Sequence, residues 1–130
     1  MPTSYDEILR TAYATFANGD LEGYLSFCTP DIEFVIPGKN RLSKTYSRSE
    51  FVSGLITDVM RLTNGSFKET VLDVFTSDRG GVVRAHHELT REDGKRHTYR
   101  TLHVYDIEDG RLASFREVPE DLEVFNQAWG

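Results

Sequence analysis

Residues 82–89 read VVRAHHEL and residues 97–105 read HTYRTLHVY. Side chains alternate between faces along a strand. The first run therefore puts Arg84, His86 and Glu88 on one side and Val83, Ala85, His87 and Leu89 on the other. The pairing of the two runs decides which residues share a face, because a one-residue slip exchanges every side chain. Pairing His86 with Tyr99 gathers Arg84, His86, Glu88, His97, Tyr99, Thr101, His103 and Tyr105, and the next run adds Ala113, Phe115 and Glu117. The opposite face is then Val83, Ala85, His87, Leu89, Leu102, Val104, Leu112 and Val118, which is mostly apolar. A wetted face carries Lys, Glu and Thr rather than a band of tyrosine, phenylalanine and histidine, so the polar-aromatic face suits a pocket wall.

Around this region the hydrophobic period changes once. Ser4 and Glu7 fit a capping box ahead of Tyr5, Ile8, Leu9, Ala12, Tyr13 and Phe16 at helical spacing, and Asn18-Gly19 ends that helix. Asp20 caps a short second helix that stops before Thr29-Pro30, and DIEFVIP follows as a strand. Residues 38–46 are polar and irregular; Ser47 and Glu50 then open the longest helix, which ends at Asn64-Gly65. From there the period is two, with strands over 67–76, 81–91, 95–107 and 111–118 joined at SDRGG, EDG and EDG, and a closing helix over 121–129. Helices first and hairpins afterwards predict an α+β fold, an antiparallel meander with helices on one face.

The 130 residues make one domain, 1–130, large enough to bury a core. A net charge of −6 with scattered basic residues argues against nucleic acid or an anionic membrane surface as partner. The N-terminus has no basic start followed by an apolar run, so the expected location is the cytoplasm, with no membrane association. Cys28 is the only cysteine, which excludes an internal disulfide and a cysteine-rich zinc site and reads as a packing residue.

In this register Arg84, Thr101 and Glu117 lie in one row, with Arg84 and Glu117 about 10 Å apart at the backbone. An arginine between a histidine and a carboxylate holds Glu117 ionised and orients His86 for proton transfer, so Arg84, His86 and Glu117 are the candidate catalytic set. A structural salt bridge explains Arg84 and Glu117 equally well. His86 and His103 are about 13 Å apart along the strand direction, too far for one ion, and no metal or other cofactor is expected. His87 reads as a satisfied core or interface histidine.

The run AYATFANGDLEGYLSFCTPDIEFVIPG, then a long helix, then strands ending DGRLASFREVPEDLEVFNQAW, resembles the nuclear transport factor 2-like superfamily, in particular its SnoaL-like and ketosteroid-isomerase-like members. The resemblance implies a strongly curved, mostly antiparallel sheet wrapped around the N-terminal helices into a cone with an apolar pocket. It also implies a homodimer through the outer sheet face. The ketosteroid isomerase groups fall at Ala12, next to Tyr13; at Ile36, before Pro37; and at Thr101 or Leu102, and none is retained. Limonene-type epoxide hydrolases are more similar: Arg84 is kept, and His86 and Glu117 stand where aspartates are expected. Their tyrosine and asparagine fall near Phe34 and Ile36.

Two functional classes follow. One is an acid–base enzyme of the isomerase, cyclase or hydrolase type acting on a small apolar molecule. Here His86 carries the proton, Glu117 is its partner, Arg84 organises charge, and Tyr13, Phe34, Ile36, Tyr99, Thr101, His103 and Phe115 shape the pocket. The other is a dimeric module that binds such a molecule without transforming it, and a purely structural association domain stands behind both.

Overall fold

The computed structural model describes residues 4–130. The first three residues, part of the N-terminal segment in which no leader was read, lie outside the described residues. Helix α1 (Tyr5–Ala17) starts at Ser4, whose hydroxyl accepts the Glu7 N–H at 3.1 Å, and buries Ile8, Leu9, Ala12 and Tyr13. Helix α2 (Leu21–Leu25) is capped by Asp20, which accepts the Gly23 N–H at 2.8 Å. Strand β1 (Glu33–Ile36) pairs antiparallel with β2 (Lys44–Ser47). The latter lies in a stretch expected to be irregular, because a four-residue edge strand with one buried side chain, Tyr46, carries too little alternation to read.

The Ser47–Glu50 capping box opens α3 (Arg48–Glu50). The long helix expected here is not uniform: a π-helical segment (Phe51–Ile56) separates α3 from α4 (Thr57–Thr63). The Thr57 hydroxyl donates to the Val52 carbonyl five residues earlier at 2.6 Å. Such wide turns concentrate at functional sites. Strands β3 (Lys68–Thr76), β4 (Gly80–Thr90), β5 (Arg96–Glu108) and β6 (Arg111–Pro119) then precede α5 (Leu122–Ala128).

The sheet order is β2-β1-β6-β5-β4-β3, antiparallel except where β1 runs parallel to β6 with Phe34 opposite Phe115. Bulges between Val71 and Asp73 and between Asp106 and Ile107 bend the sheet, as unpaired residues do. The fold is the expected α+β arrangement of a curved, mostly antiparallel sheet with helices on its inner side. The core joins Leu9 and Ala12 of α1, Phe34 of β1, Leu112 of β6, Phe125 of α5 and Trp129. Among the described residues no helix is long and apolar enough to cross a membrane.

The β4–β5 register departs from expectation by one residue: His86 pairs with Arg100, and His87 with Tyr99. The turn matches that register. Arg91 N–H donates to the Lys95 carbonyl and Gly94 N–H to the Arg91 carbonyl, both at 2.9 Å, with Gly94 at φ +84°. Glu92-Asp93-Gly94 is therefore a three-residue loop with glycine in the left-handed position, one residue longer than the expected pairing requires. The second EDG behaves differently. Glu108 pairs with Arg111, and both Asp109 (φ +50°) and Gly110 (φ +76°) are left-handed, the signature of a two-residue type I′ turn.

A Cβ at position 94 meets nothing within 4 Å, so substitution there tests conformation alone. Gly94→Ala is expected to lower stability by about 1–2 kcal/mol, seen as a lower urea midpoint with an unchanged slope. An unchanged midpoint would show that the loop does not depend on a left-handed residue.

Candidate functional site

The register puts β4's Val83, Ala85, His87 and Leu89 on the same side as β5's Tyr99, Thr101, His103 and Tyr105, all of them buried. His103 pairs directly with Glu117 of β6, and Glu69 of β3 pairs with His87. These rows face a cavity of about 80 Å³. Since about 10–15 Å³ on this scale holds one water, the space admits a small organic molecule. Its lining is largely apolar, with Ile36, Leu42, Phe51, Leu55, Phe115 and Phe125 among the contributors. An outer cleft between α1, α4 and β3 shares Tyr13, Phe16, Ile56, Phe67 and Glu69 with the cavity.

Two hydrogen-bonded arms of polar side chains reach into the apolar lining. In the first, Glu117 accepts the Thr101 hydroxyl at 2.7 Å and lies 3.1 Å from His103 Nε2, while His103 Nδ1 is 2.6 Å from the Tyr13 hydroxyl. Tyr13 continues to Tyr105 at 2.7 Å, and Tyr105 to Tyr24 at 2.9 Å. In the second, Glu69 lies 2.7 Å from His87 Nε2, and His87 Nδ1 is 2.9 Å from the Tyr99 hydroxyl, which accepts the Trp129 indole N–H at 3.0 Å. The arms meet where Glu69 Oε2 stands 3.9 Å from His103 Nδ1. Among the described residues Thr29 Oγ1 is the only fully buried side-chain polar atom without a partner, so these networks are satisfied as built.

The cavity lining contains two carboxylates and two imidazoles and neither lysine nor arginine. Burial alone would raise the Glu117 carboxyl, but the charge and hydrogen bond of His103, the charge of His87 and the Thr101 hydroxyl bring it down to about 2. Burial pushes His103 down, yet the neighbouring Glu117 and Glu69 outweigh it and hold its proton above the ordinary histidine range. Burial likewise opposes ionisation of Glu69, and the hydrogen bond and charge of His87 reverse the balance. Tyr13, Tyr24, Tyr99 and Tyr105 are all pushed well above the usual tyrosine range, chiefly by burial, and stay hydroxyls. Burial also raises the Cys28 thiol to about 12, so it is not a thiolate nucleophile.

The SnoaL-like domain family model matches residues 9–115 of this chain. The chain belongs to the SnoaL-like domain family. Among curated relatives, this SnoaL-like protein is 24% identical to an uncharacterized protein of Mycobacterium tuberculosis over 123 residues, 95% of this chain and 94% of the relative. Among solved structures it is similar to Bal32a from a soil-derived mobile gene cassette (TM-score 0.88, 24% identity, 97% and 96% of the two chains). It is also similar to an NTF2-like protein of Burkholderia thailandensis (0.88, 18%, 98% and 98%) and to TerC co-crystallized with polyporic acid (0.81, 24%, 95% and 95%). At these identities the likeness is one of fold.

Of the residues singled out from sequence, Tyr13, Ile36, Tyr99, His103, Phe115 and Glu117 line the cavity of this SnoaL-like protein. Thr101 and Phe34 do not. Thr101 stands behind Glu117 as its hydrogen-bond donor, and Phe34 packs on Phe51 and Phe115 with ring centres 4.5 and 5.4 Å away. Arg84 and His86 are corrections: both lie on the outer face, because the three-residue loop turns β4 over relative to β5. Arg84 pairs there with Asp73 at 3.3 Å and Glu120 at 3.2 Å rather than with Glu117. His87, read as a core or interface histidine, is buried with both ring nitrogens hydrogen-bonded, and its ring centre lies 5.4 Å from that of His103. Sequence reasoning missed Glu69, His87, Tyr24 and Trp129 as site residues. The left-handed demand of Gly94 could have recovered His87, but nothing local marks Glu69.

The shifts of Glu117 and His103 fix a pH window. Glu117 is lowered from 4.5 to about 2, so its contribution to stability is complete above about 4.5 and lost as the pH falls through about 2. His103 is raised from 6.5, so its contribution is complete below about 6.5 and lost as the pH rises through its folded value. Both limbs report the same pair, which gives a stability plateau between about 4.5 and 6.5. Glu117→Gln is expected to flatten both limbs and lower the plateau by about 1–3 kcal/mol. Parallel pH profiles of urea midpoints for wild type and variant would exclude a contribution from the pair.

Proposed function

We propose that this chain, working as a single domain, binds a small, largely apolar molecule in the cavity and moves protons on it by general acid–base catalysis. The observation that carries this reading is the pair of carboxylate–imidazole arms converging in an apolar cavity with no fixed cation. On the acid side, Glu117 stabilises a protonated His103, whose Nδ1–H supports Tyr13 as the hydroxyl that donates to a substrate oxygen. On the base side, Glu69 lines both the cavity and the outer cleft and takes a proton from substrate carbon, becoming a neutral acid still held by His87. Glu69 then returns the proton to another carbon, or to the alkoxide formed by ring closure, while Tyr13 keeps its own, so an isomerisation or cyclisation leaves both groups as they began and needs no cofactor. The structural relative TerC, co-crystallized with polyporic acid, supports a pocket for an organic ligand.

The test uses a panel of enolisable aromatic ketones in D₂O, followed by proton NMR. Wild type is expected to catalyse loss of the α-C–H signal of at least one bound ketone. Glu69→Gln and Tyr13→Phe are each expected to lower that rate 10²–10⁴-fold while ketone binding persists. Binding at unchanged affinity with no exchange by wild type would favour the non-catalytic binding module.

We infer further that two copies associate through the outer sheet face. Phe75 and Val118 are 57% and 39% exposed there, and Val82, Leu102 and Val104 lie on the same face. Large exposed apolar side chains gathered on one face mark an interaction surface. Phe75→Lys combined with Val104→Lys is expected to shift sedimentation from dimer to monomer; a monomeric wild type would overturn the association.

A further inference from the structure

Buried carboxylates in an apolar cavity require compensation, because an uncompensated buried charge costs several kcal/mol. Glu117 is 7% exposed and the Glu69 side chain 12%, and the cavity lining offers no lysine or arginine to balance them. Two charges of compensation can come from protons on the two imidazoles or from one doubly charged ion. The donor atoms favour the second solution as well as the first. Glu69 Oε2 and His87 Nε2 are 2.7 Å apart, Glu69 Oε2 and His103 Nδ1 are 3.9 Å apart, and all three ligand atoms lie within 4.8 Å of one another. Ligand atoms around a tetrahedral ion with bonds of about 2.0–2.1 Å stand roughly 3.3 Å apart, so the two pairs involving Glu69 change by about 0.6 Å each and the widest separation closes by at most about 1.5 Å.

The surroundings of both rings match what metal-bound histidines have. A bound imidazole gives its other N–H to a carboxylate, carbonyl or hydroxyl that fixes its tautomer and direction. His103 has Glu117 at Nε2, and His87 has Tyr99 at Nδ1, leaving His103 Nδ1 and His87 Nε2 to converge beside Glu69. The Tyr99 hydroxyl is itself anchored by Trp129 and can accept the His87 N–H. Two histidines and one carboxylate with an open side are a ligand set for first-row divalent ions.

We propose that Glu69, His87 and His103 bind one first-row divalent transition-metal ion of the zinc(II) type, with its open side toward the cavity. This site goes beyond the acid–base reading and does not depend on it. An ion on His103 Nδ1 takes the position that the Tyr13 hydroxyl holds, so the loaded protein cannot run the same proton path. Zinc(II) is thus expected to abolish any α-proton exchange that the metal-free protein performs.

The experiment is zinc(II) titration of chelator-stripped protein by calorimetry, with cobalt(II) as the optical probe. Wild type is expected to take up one ion per chain and to give cobalt(II) visible bands of a nitrogen- and oxygen-ligated, low-coordinate site. Uptake is expected to be retained in His86→Ala and His97→Ala and to weaken at least 100-fold in His87→Ala. Glu117→Gln, which keeps all three ligands, is expected to weaken it about 10–100-fold, and this readout stands if His87→Ala fails to fold. Absence of one-to-one uptake by folded wild type, or uptake indifferent to both Glu69→Gln and Glu117→Gln, overturns the site. A protein that exchanges α-protons but binds no zinc(II) overturns the site and keeps the acid–base reading. One that binds zinc(II) without exchange, before or after stripping, keeps the site and overturns that reading.

Discussion

Two carboxylates face an apolar cavity whose lining holds no permanent cation, and the arrangement of the interior follows from that constraint. Buried anions of this kind are tolerated only with partners in good geometry. Glu117 has His103 across the β5–β6 ladder and the Thr101 hydroxyl beside it; Glu69 has His87 across the β3–β4 ladder. Each pair is directly opposed in the sheet, so the strand register creates the ion-pair geometry. The tyrosines then extend the imidazoles into the helical layer. Tyr13 of α1 and Tyr24 of α2 tie the first arm, while Trp129, just beyond α5, ties the second. Polar chemistry and helix docking are therefore one network, and a change at either end is felt at the other.

The apolar residues serve this network as much as they serve the core. Phe34, Phe51 and Phe115 stack behind the first arm, and Phe67 packs edge-on against His87 at 4.8 Å between ring centres. By excluding water they lower the local dielectric, which strengthens each charge-assisted hydrogen bond and raises the cost of an unpaired group. The same dryness keeps all four network tyrosines protonated. The site thus holds hydroxyl donors and carboxylates side by side, and burial extends that state above the usual tyrosine range.

Much of the fold is local and was legible in the sequence. Ser4, Asp20 and the Ser47–Glu50 box cap helices where their spacing says they should, and the alternation on β5 correctly puts Tyr99, Thr101, His103 and Tyr105 on one side. The resemblance carried by the NGDLEGYLSF and DGRL segments supplied the curved sheet and the cavity. What failed was the relation between strands. EDG occurs twice, and only the backbone shows that one copy forms a three-residue loop and the other a two-residue turn. The choice rests on side chains far from either turn, because burying His87 and Leu89 instead of Arg84, His86 and Glu88 is the lower-energy alternative. Arg84, His86 and Glu117 looked like one constellation solely because that choice was made the other way. Glu69 was invisible for a further reason: in KETVLDVFT an acidic residue on a half-exposed edge strand reads as solvated, whereas here it stands opposite His87 and lines the cavity.

The Glu92–Gly94 loop therefore carries information that its own residues do not use. None of its residues lines the cavity, and its side chains are exposed, yet its count of three sets the parity of the β4–β5 hairpin. Losing one residue there would turn β4 inside out, driving an arginine, a histidine and a glutamate into the interior and leaving Glu117 without His87 nearby. Such a loop tolerates variation at Glu92 and Asp93, requires a left-handed residue at position 94, and admits almost no change of length. An insertion or deletion at the tip of this solvent-exposed hairpin is therefore as consequential as a substitution at the bottom of the cavity.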